Sequence, residues 1–307
     1  MRKAFLLGAG LGTRLRPLTN TLPKPLIPVF HRPLITYALD HCLAVGIEEF
    51  AINTHHLPEA WSQAFPDRHY RGAPLTFFHE PDLLETGGGI KNIEGWIGEE
   101  DVLVYNGDIL TDCDLAELIA THTASQNVAT LATREEGPSP QLAVSGPQVI
   151  DVRELLGVAT GTHQFLGLYC ISPEILTMIP PGEKISVIPA YLELARQGRL
   201  GHRVLNEGDW LDLGTREAYL AAHGLPAGQG RPKMLADQPA GHPKALIADG
   251  ARVTRSVIGP GCHVSADTEV GDSILWPGTT ISPGAQLTNC IVHSTNPATG
   301  THNNADL

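Results

Sequence analysis

The residues best suited to chemistry crowd into one stretch, Leu6 to Val29, LLGAGLGTRLRPLTNTLPKPLIPV. Leu7 leads into Gly8, Ala9, Gly10 and Gly12, small residues that let a backbone approach a bound group and present its N–H donors. Thr13, Arg14, Arg16 and Lys24 follow within twelve residues of Gly12. Residues 1–39 hold six Lys or Arg and no Asp or Glu, while the whole chain is −12, so the remainder carries −18. A basic, glycine-rich turn opening an acidic chain reads as an anion site, suited to polyphosphate. The spacing Gly8-x-Gly10-x-Gly12 is one residue short of the dinucleotide fingerprint, and no acid for a ribose lies about twenty residues on. No Gly-Lys-Ser/Thr follows, so it is not a Walker A loop either. Taken alone, the glycines would suit an ordinary tight turn.

Three further groups have chemical potential. In Glu80–Lys91, EPDLLETGGGIK, three glycines follow Thr86. They would cost roughly 1 kcal/mol each against alanine in a helix, which predicts a loop, either simply flexible or one whose backbone lies close to a flat ligand. The apolar run Val102–Tyr105 ends at Asn106-Gly107-Asp108, good turn chemistry but also the place where open α/β sheets bind ligands. Beside the first loop, Asp108 reads as a hard oxygen ligand for a phosphate-bound Mg²⁺. In Gly208–Thr215, GDWLDLGT, Trp210, Leu211 and Leu213 put Asp212 at an apolar strand end, a buried carboxylate for which a cation is the economical partner. Thr215 is placed to cap the next helix with Glu217 in its first turn, and Asp114 to cap Leu115–Ala124.

These groups must be carried by regular elements. Lys3–Leu7, Phe50–Asn53, Leu75–Phe78 and Val102–Tyr105 read as strands, and residues 34–45 and 58–65 as helices. Their alternation predicts an α/β fold, a Rossmann-like doubly wound, mostly parallel sheet. Residues 127–171 read as further strands and turns. Gly224 to Pro243 holds four Gly and four Pro in twenty residues, which marks a linker over 224–244. Beyond it a 17-residue repeat aligns Ile247, Val264 and Ile281, then Val253, Val270 and Leu287, then Ile258, Leu275 and Val292. Ser256, Ser273 and Cys290 align as small residues. Apolar positions six, five and six apart describe a parallel β-solenoid over 245–294. The polar stretch 295–307 is expected to be a disordered tail.

Composition narrows the classes. A chain of 307 residues suggests one large and one smaller domain, with boundaries at 1–223 and 245–294. Net −12 excludes a general nucleic-acid surface, so a nucleotide would be a small ligand. Five scattered Cys without C-x-x-C spacing suggest reduced thiols. The short apolar start is interrupted by Arg14 and Arg16, unlike a leader, and no segment reaches the ~20 apolar residues of a membrane span, so a cytoplasmic protein is expected.

Arg14, Arg16-Pro17 and Pro23-Lys24-Pro25 together extend the first motif so far that it resembles the signature of the sugar-phosphate nucleotidylyltransferases, over roughly residues 2–223. The loop Glu-Thr-Gly-Gly-Gly is similar to that of N-acetylmuramate-1-phosphate uridylyltransferases, and an added solenoid is similar to mannose-1-phosphate guanylyltransferases. The resemblance implies an NTP, UTP or GTP, and a sugar 1-phosphate giving an NDP-sugar and pyrophosphate with Mg²⁺ as cofactor. It places Leu7, Gly8, Ala9, Gly10, Gly12 and Thr13 on the triphosphate, and Glu80, Thr86, Gly87, Gly88 and Asn106 around the nucleoside. Arg14 would face the leaving pyrophosphate and Lys24 the sugar phosphate, with Asp108 and Asp212 holding the metal. Gln164 and Gly167 match the sugar-contacting strand. The Glu-Lys-Pro motif of many members is missing; Gly137-Pro138-Ser139-Pro140 stands there, and Lys184 is a candidate substitute. The repeats resemble the left-handed β-helix of hexapeptide proteins, whose ends and flat faces often pair, so a homo-oligomer through it is expected. Two other readings stay open: a non-catalytic nucleotide-sugar-sensing subunit, and an acyltransferase using His263 or His293.

Overall fold

The computed structural model describes residues 1–226, 228 and 230–307. Its contacts divide the chain into two compact units. The first takes Met1–Leu11, Pro23–Pro25 and Ile35–Trp210; the second takes Gly12–Leu22, Leu26–Leu34 and Leu211–Leu307. The N-terminal signature is therefore split, with Ala9, Gly10 and Lys24 in the first unit and Gly12, Thr13 and Arg14 in the second.

The first unit is built on one ten-stranded sheet. Its strands are β1 (Lys3–Leu7), β2 (Glu49–Thr54), β3 (His69–Tyr70), β4 (Ala73–His79), β5 (Val102–Asn106), β6 (Ala129–Arg134), β7 (Leu142–Ser145), β8 (Gln148–Val152), β9 (Gln164–Ile171) and β10 (Leu200–Val204). The spatial order is β7-β8-β10-β6-β9-β5-β1-β2-β4-β3. β5, β1, β2 and β4 run parallel, as the doubly wound pattern requires. β10 is parallel to β6, and β9 lies antiparallel between β5 and β6. The apolar runs of β1 and β5 are buried throughout their centres, because helices cover both faces of a parallel sheet. Phe5, Val102, Val104 and Tyr169 pack with Ile90, Ile93, Ile97, Tyr191 and Leu194 in one core.

The helices of this unit are α1 (Ile35–Ala44), α2 (Pro58–Ala64), α3 (Glu85–Asn92), α4 (Glu94–Ile97), α5 (Leu115–Thr123) and α6 (Ile188–Arg196). Asp114 caps α5 as expected, accepting the Glu117 N–H at 3.0 Å. The glycine run after Thr86 corrects the expectation of a loop: it is the body of α3. Tertiary packing overrides its poor propensity. A β-carbon at Gly87 would lie 2.7 Å from the Ser186 carbonyl oxygen and 2.8 Å from that of Ile185, so only glycine lets the 183–186 backbone seat against the helix.

The second unit contains the solenoid, and the 17-residue alignment is its register. Ile247, Val264 and Ile281 pair in parallel, as do Val253, Val270 and Leu287, and Ile258, Leu275 and Val292. The small-residue column has its own cause. Ser273 N–H donates to Ser256 Oγ at 3.1 Å, and Cys290 N–H donates to Ser273 Oγ at 3.0 Å, a ladder that satisfies buried corner amides. Helix α7 (Arg216–Ala222) is capped by Thr215, which accepts the Ala218 N–H at 3.2 Å. Tyr219 on α7 donates to the Pro28 carbonyl at 2.5 Å and accepts from Trp276 Nε1 at 3.0 Å.

The stretch 295–307, expected to be disordered, instead supplies a further rung. Thr301–Asn303 pairs with Gln286–Thr288, and Arg216 bonds Asp306 at 2.7 Å and the Asn304 side chain at 2.9 Å. The tail's polar composition concealed backbone bonds to the preceding coil, such as Leu307 N–H to Ile291 O at 2.9 Å. Within the expected linker 224–244, Ala227 and Gln229 lie outside the described residues. Among the described residues, no helix is long and apolar enough to cross a membrane. The five cysteines are free and buried, the role of small apolar filler.

Candidate active site

β1, β2 and β5 are in register where they end, with Leu7 opposite both Asn53 and Asn106. The loops leaving their carboxyl ends therefore converge, as in other open α/β sheets. A cleft of about 400 Å³ opens at that point. Leu7, Ala9, Gly10, Lys24, Thr86, Asn106 and Asp108 line it, together with Pro25, Asn53, Leu83, Glu85 and Ser186.

Lys24 and Asp108 form an ion pair, Nζ to Oδ2, at 2.6 Å. The lysine side chain is only 8% exposed and the aspartate 33%, so the pair sits with its carboxylate toward the opening. An ammonium withdrawn from water this far needs an anionic partner, and an entering phosphate would compete with Asp108 for it. The sequence had set these two residues on different ligands; the fold joins them to each other.

The loop amides divide into two kinds. Gly8 N–H donates to Asn53 Oδ1 at 2.8 Å, and Asn53 Nδ2 donates to Glu80 Oε1 at 2.8 Å. Glu80 Oε2 accepts the Leu84 N–H at 3.0 Å, so this buried carboxylate is occupied on both oxygens. Gly8 and Glu80, expected on the nucleotide, tie the first loop to the start of α3. A β-carbon at Gly8 would lie 2.7 Å from the Asn53 carbonyl oxygen, which fixes that residue as glycine. Ala9 and Gly10 N–H have no partner among the described residues and border the cleft.

The other expected contacts have structural partners. Gly87 and Gly88 face the 183–186 backbone, and Gly88 N–H donates to Ile185 O at 3.0 Å. Gly167 has φ +78° at the bulge in β9, and a β-carbon there would meet Asn106 Nδ2 at 3.0 Å. It thereby orients a residue that does line the cleft. Gln164 is buried, accepting Ser139 N–H at 2.9 Å and donating to Phe165 O at 2.7 Å, so it holds the Gly137–Pro140 turn. Lys184 is exposed and does not line the cleft.

The second unit holds the rest. Gly12 has φ +60° and its carbonyl accepts Leu15 N–H and Thr19 Oγ1, both at 2.9 Å. Thr13 and Arg14 are exposed on the short turn that follows. A β-carbon on Gly214 would lie 2.6 Å from Arg14 Nη2 and 2.9 Å from Asp212 Oδ1, so a side chain there would crowd both groups. Asp212 is exposed, which corrects the reading of a buried strand-end carboxylate: Leu213 is buried behind it, but the aspartate faces solvent.

Sequence reasoning missed Asn53 and Glu85. Asn53 ends β2 beside Leu7, and its position at a strand's carboxyl end was the available signal. Glu85 adopts φ +61° at the cleft, a strained conformation that no local motif announces. No nucleophile emerges from the thiols: burial pushes Cys113 up to about 11 and raises Cys42 and Cys170 as well.

A nucleotidyl transferase family model matches residues 3–226, and a GlmU-like C-terminal hexapeptide model matches 243–298. The chain is 28% identical to the mannose-1-phosphate guanylyltransferase of Mycobacterium tuberculosis over 303 residues, covering 92% of this chain and 82% of that protein. It is 33% identical to the N-acetylmuramate alpha-1-phosphate uridylyltransferase of Neisseria meningitidis over 218 residues, covering 69% of this chain and 93% of that one. The UDP-glucose pyrophosphorylase structure from Acinetobacter baumanii aligns with TM-score 0.61 and 19% identity, over 75% of this chain and 95% of its own, a likeness of fold.

Proposed function

Because the chain belongs to the nucleotidyl transferase family, we propose that it joins an NTP to a sugar 1-phosphate, releasing pyrophosphate and an NDP-sugar. The observation that carries this reading is the Lys24–Asp108 pair beside the open amides of Ala9 and Gly10, at the carboxyl ends of parallel strands. UTP and GTP are the nucleotides to which the relatives' names point.

In the reaction a phosphate oxygen of the sugar phosphate attacks the α-phosphorus. One P–O bond forms there, and the bond to the β-phosphate bridging oxygen breaks, pyrophosphate leaving with the electron pair. Positioning and charge neutralisation dominate such a transfer, and no covalent nucleophile is required. Ala9 and Gly10 N–H would bind triphosphate oxygens. Lys24 would exchange its bond to Asp108 for one to phosphate, holding positive charge where negative charge gathers. Gly8, Asn53 and Glu80 would keep the loop in place behind it. The roles of Arg14 and Asp212 rest on the family signature.

Family members generally use a divalent cation. The described residues contain no group of three or more His, Cys, Asp or Glu arranged to hold one. Mg²⁺ is commonly bound by one or two carboxylates and completes its shell with phosphate oxygens and water. Asp108 would hold it from the cleft, with Asp212 added by the resemblance, and the ion would supply charge neutralisation at the phosphates. The sensing and acyl-transfer readings lose ground to relatives that are nucleotidyl transferases.

Pyrophosphate release over the four NTPs crossed with a panel of sugar 1-phosphates tests the proposal, and silence in every combination would overturn it. With the active pair in hand, Lys24→Ala should lower turnover about ten- to hundredfold, the worth of a charge-assisted bond of ~1.5–3 kcal/mol. Unchanged kinetics would remove Lys24 from the reaction.

A further inference from the structure

The first unit carries a second recess, and none of the described residues lining it also lines the cleft. It lies where α5 and α6 end, against the turn between β7 and β8 and the start of β10, and has a volume of about 420 Å³. Four side-chain amides line it, those of Gln126, Asn127, Gln148 and Gln197, together with the hydroxyls of Thr121 and Ser125. Among the described lining residues the one formal charge is Arg199, and Glu174 holds it in a two-pronged pair, with Nη2 to Oε2 at 2.8 Å. His202 is tied at both ring nitrogens: Nε2–H donates to Gly146 O at 3.0 Å, and Nδ1 lies 3.1 Å from Thr133 Oγ1. Burial lowers the pKa of this ring, which keeps it neutral.

One wall of the recess depends on a strand glycine. Gln148 stands opposite Gly201 in the pairing of β8 with β10, and Asn127, on the segment leading into β6, brings its amide to 3.1 Å from that of Gln148. A β-carbon on Gly201 would collide with Asn127 Nδ2 and lie 2.7 Å from Asn127 Cγ, so any other residue there would expel the asparagine. Glycine inside a strand weakens it, and close approach of another group is a common reason for its presence. Here the group received is half of an amide pair that faces the recess.

We infer that this recess is a binding site for an uncharged saccharide. A side-chain amide offers donors and an acceptor side by side, which complements a hydroxyl that is both at once. Phosphorylated ligands are disfavoured, because Glu174 already neutralises Arg199 and two helices end here with the negative poles of their dipoles. A cationic ligand would find no carboxylate among the described lining residues. They include no Phe, Tyr or Trp either, so a flat base lacks the stacking surface such rings provide. A peptide added as a strand needs a sheet edge, whereas β8 and β10 are both interior strands. Pro147 supplies a small apolar surface suited to the C–H face of a pyranose. The volume falls within the range of about 300–1,000 Å³ usual for small-ligand sites. The inference rests on this recess alone and is independent of the reaction proposed above.

Titration calorimetry of the full chain with a panel of neutral hexoses and N-acetylhexosamines tests it. At least one should bind saturably, with a Kd of about 1 mM or tighter. Gln148→Ala removes half of the amide pair and should weaken that binding at least about tenfold. Gln126 is exposed, and its side chain makes no hydrogen bond among the described residues. Gln126→Ala should therefore leave the fold intact and weaken binding about fivefold, the worth of one hydrogen bond, which keeps the test valid if Gln148→Ala disturbs the sheet. Lys24→Ala should leave saccharide binding unchanged, because the cleft takes no part in it. No saturable binding by any sugar of the panel, binding that Lys24→Ala abolishes, or binding indifferent to both glutamine variants would overturn the inference.

Discussion

The cleft of the first unit and the solenoid of the second satisfy their buried polar groups in opposite ways. In the solenoid one bond recurs at a fixed interval, Ser256 to Ser273 to Cys290, each link seventeen residues from the last. In the cleft a single chain of bonds, Gly8 to Asn53 to Glu80 to Leu84, gathers three separated segments, and each link occurs once. Repetition spreads stability over near-equivalent sites, whereas the unique network concentrates it and ties it to the geometry of a binding loop. Loss of a rung should be local; loss of a unique link should be felt widely.

The comparison breaks hardest at His223, where the second unit itself depends on an unrepeated link. His223 Nδ1–H donates to Tyr219 O at 2.8 Å, and Nε2 accepts Phe30 N–H at 2.9 Å, so the ring must be neutral to serve both. Burial lowers its pKa to about 4. The unfolded chain takes its proton near 6.5, so unfolding binds a proton throughout the window between those values. Stability is therefore complete above about pH 6.5 and falls as pH drops toward 4, by about 3 kcal/mol from this group. Denaturant melts across that range should show a shallower acid limb for His223→Gln than for wild type; identical limbs would remove His223 as the cause.

Gly87 sharpens the comparison on the cleft side. Ala at this position must displace the carbonyls of Ile185 and Ser186, so Gly87→Ala should cost about 2 kcal/mol, within the usual range for overpacking. Gly95, in α4, has nothing within 4 Å of a built β-carbon, and Gly95→Ala should stabilise by about 0.5–1 kcal/mol. Opposite shifts in melting temperature are expected for two identical changes, and shifts of the same sign would contradict the packing.

Effects as modest as that of Gly95 belong to the ladder. Ser256→Ala and Ser273→Ala each remove one acceptor of a buried amide, worth about 1 kcal/mol. Because the rungs are equivalent, the two losses should agree closely in chemical melts, and a marked inequality would mean that the repeat is not uniform in energy.

Legibility followed the same division. The solenoid register could be read residue by residue, because each coil repeats the same apolar spacing and contacts only its neighbours. The strands β1, β2, β4 and β5, the caps Asp114 and Thr215, and the converging loop ends were also legible, since propensity, capping and parallel order act over short spans. Composition hid the tail, where backbone pairing to the previous coil outweighs side-chain polarity. Propensity misread the Thr86–Gly89 run, because the benefit of glycine lies in the distant 183–186 segment it receives.

The sequence by itself determined the residue types of an anion-binding loop, the α/β order that carries it, and the period of the solenoid. Only the tertiary structure decided which of those residues face the cleft. It paired Lys24 with Asp108, turned Gly8 and Glu80 into supports, brought in Asn53 and Glu85, and left Asp212 exposed beside Arg14. The physical reason is that a motif fixes chemistry along the chain, whereas the direction of a donor depends on groups tens of residues away that compete for it.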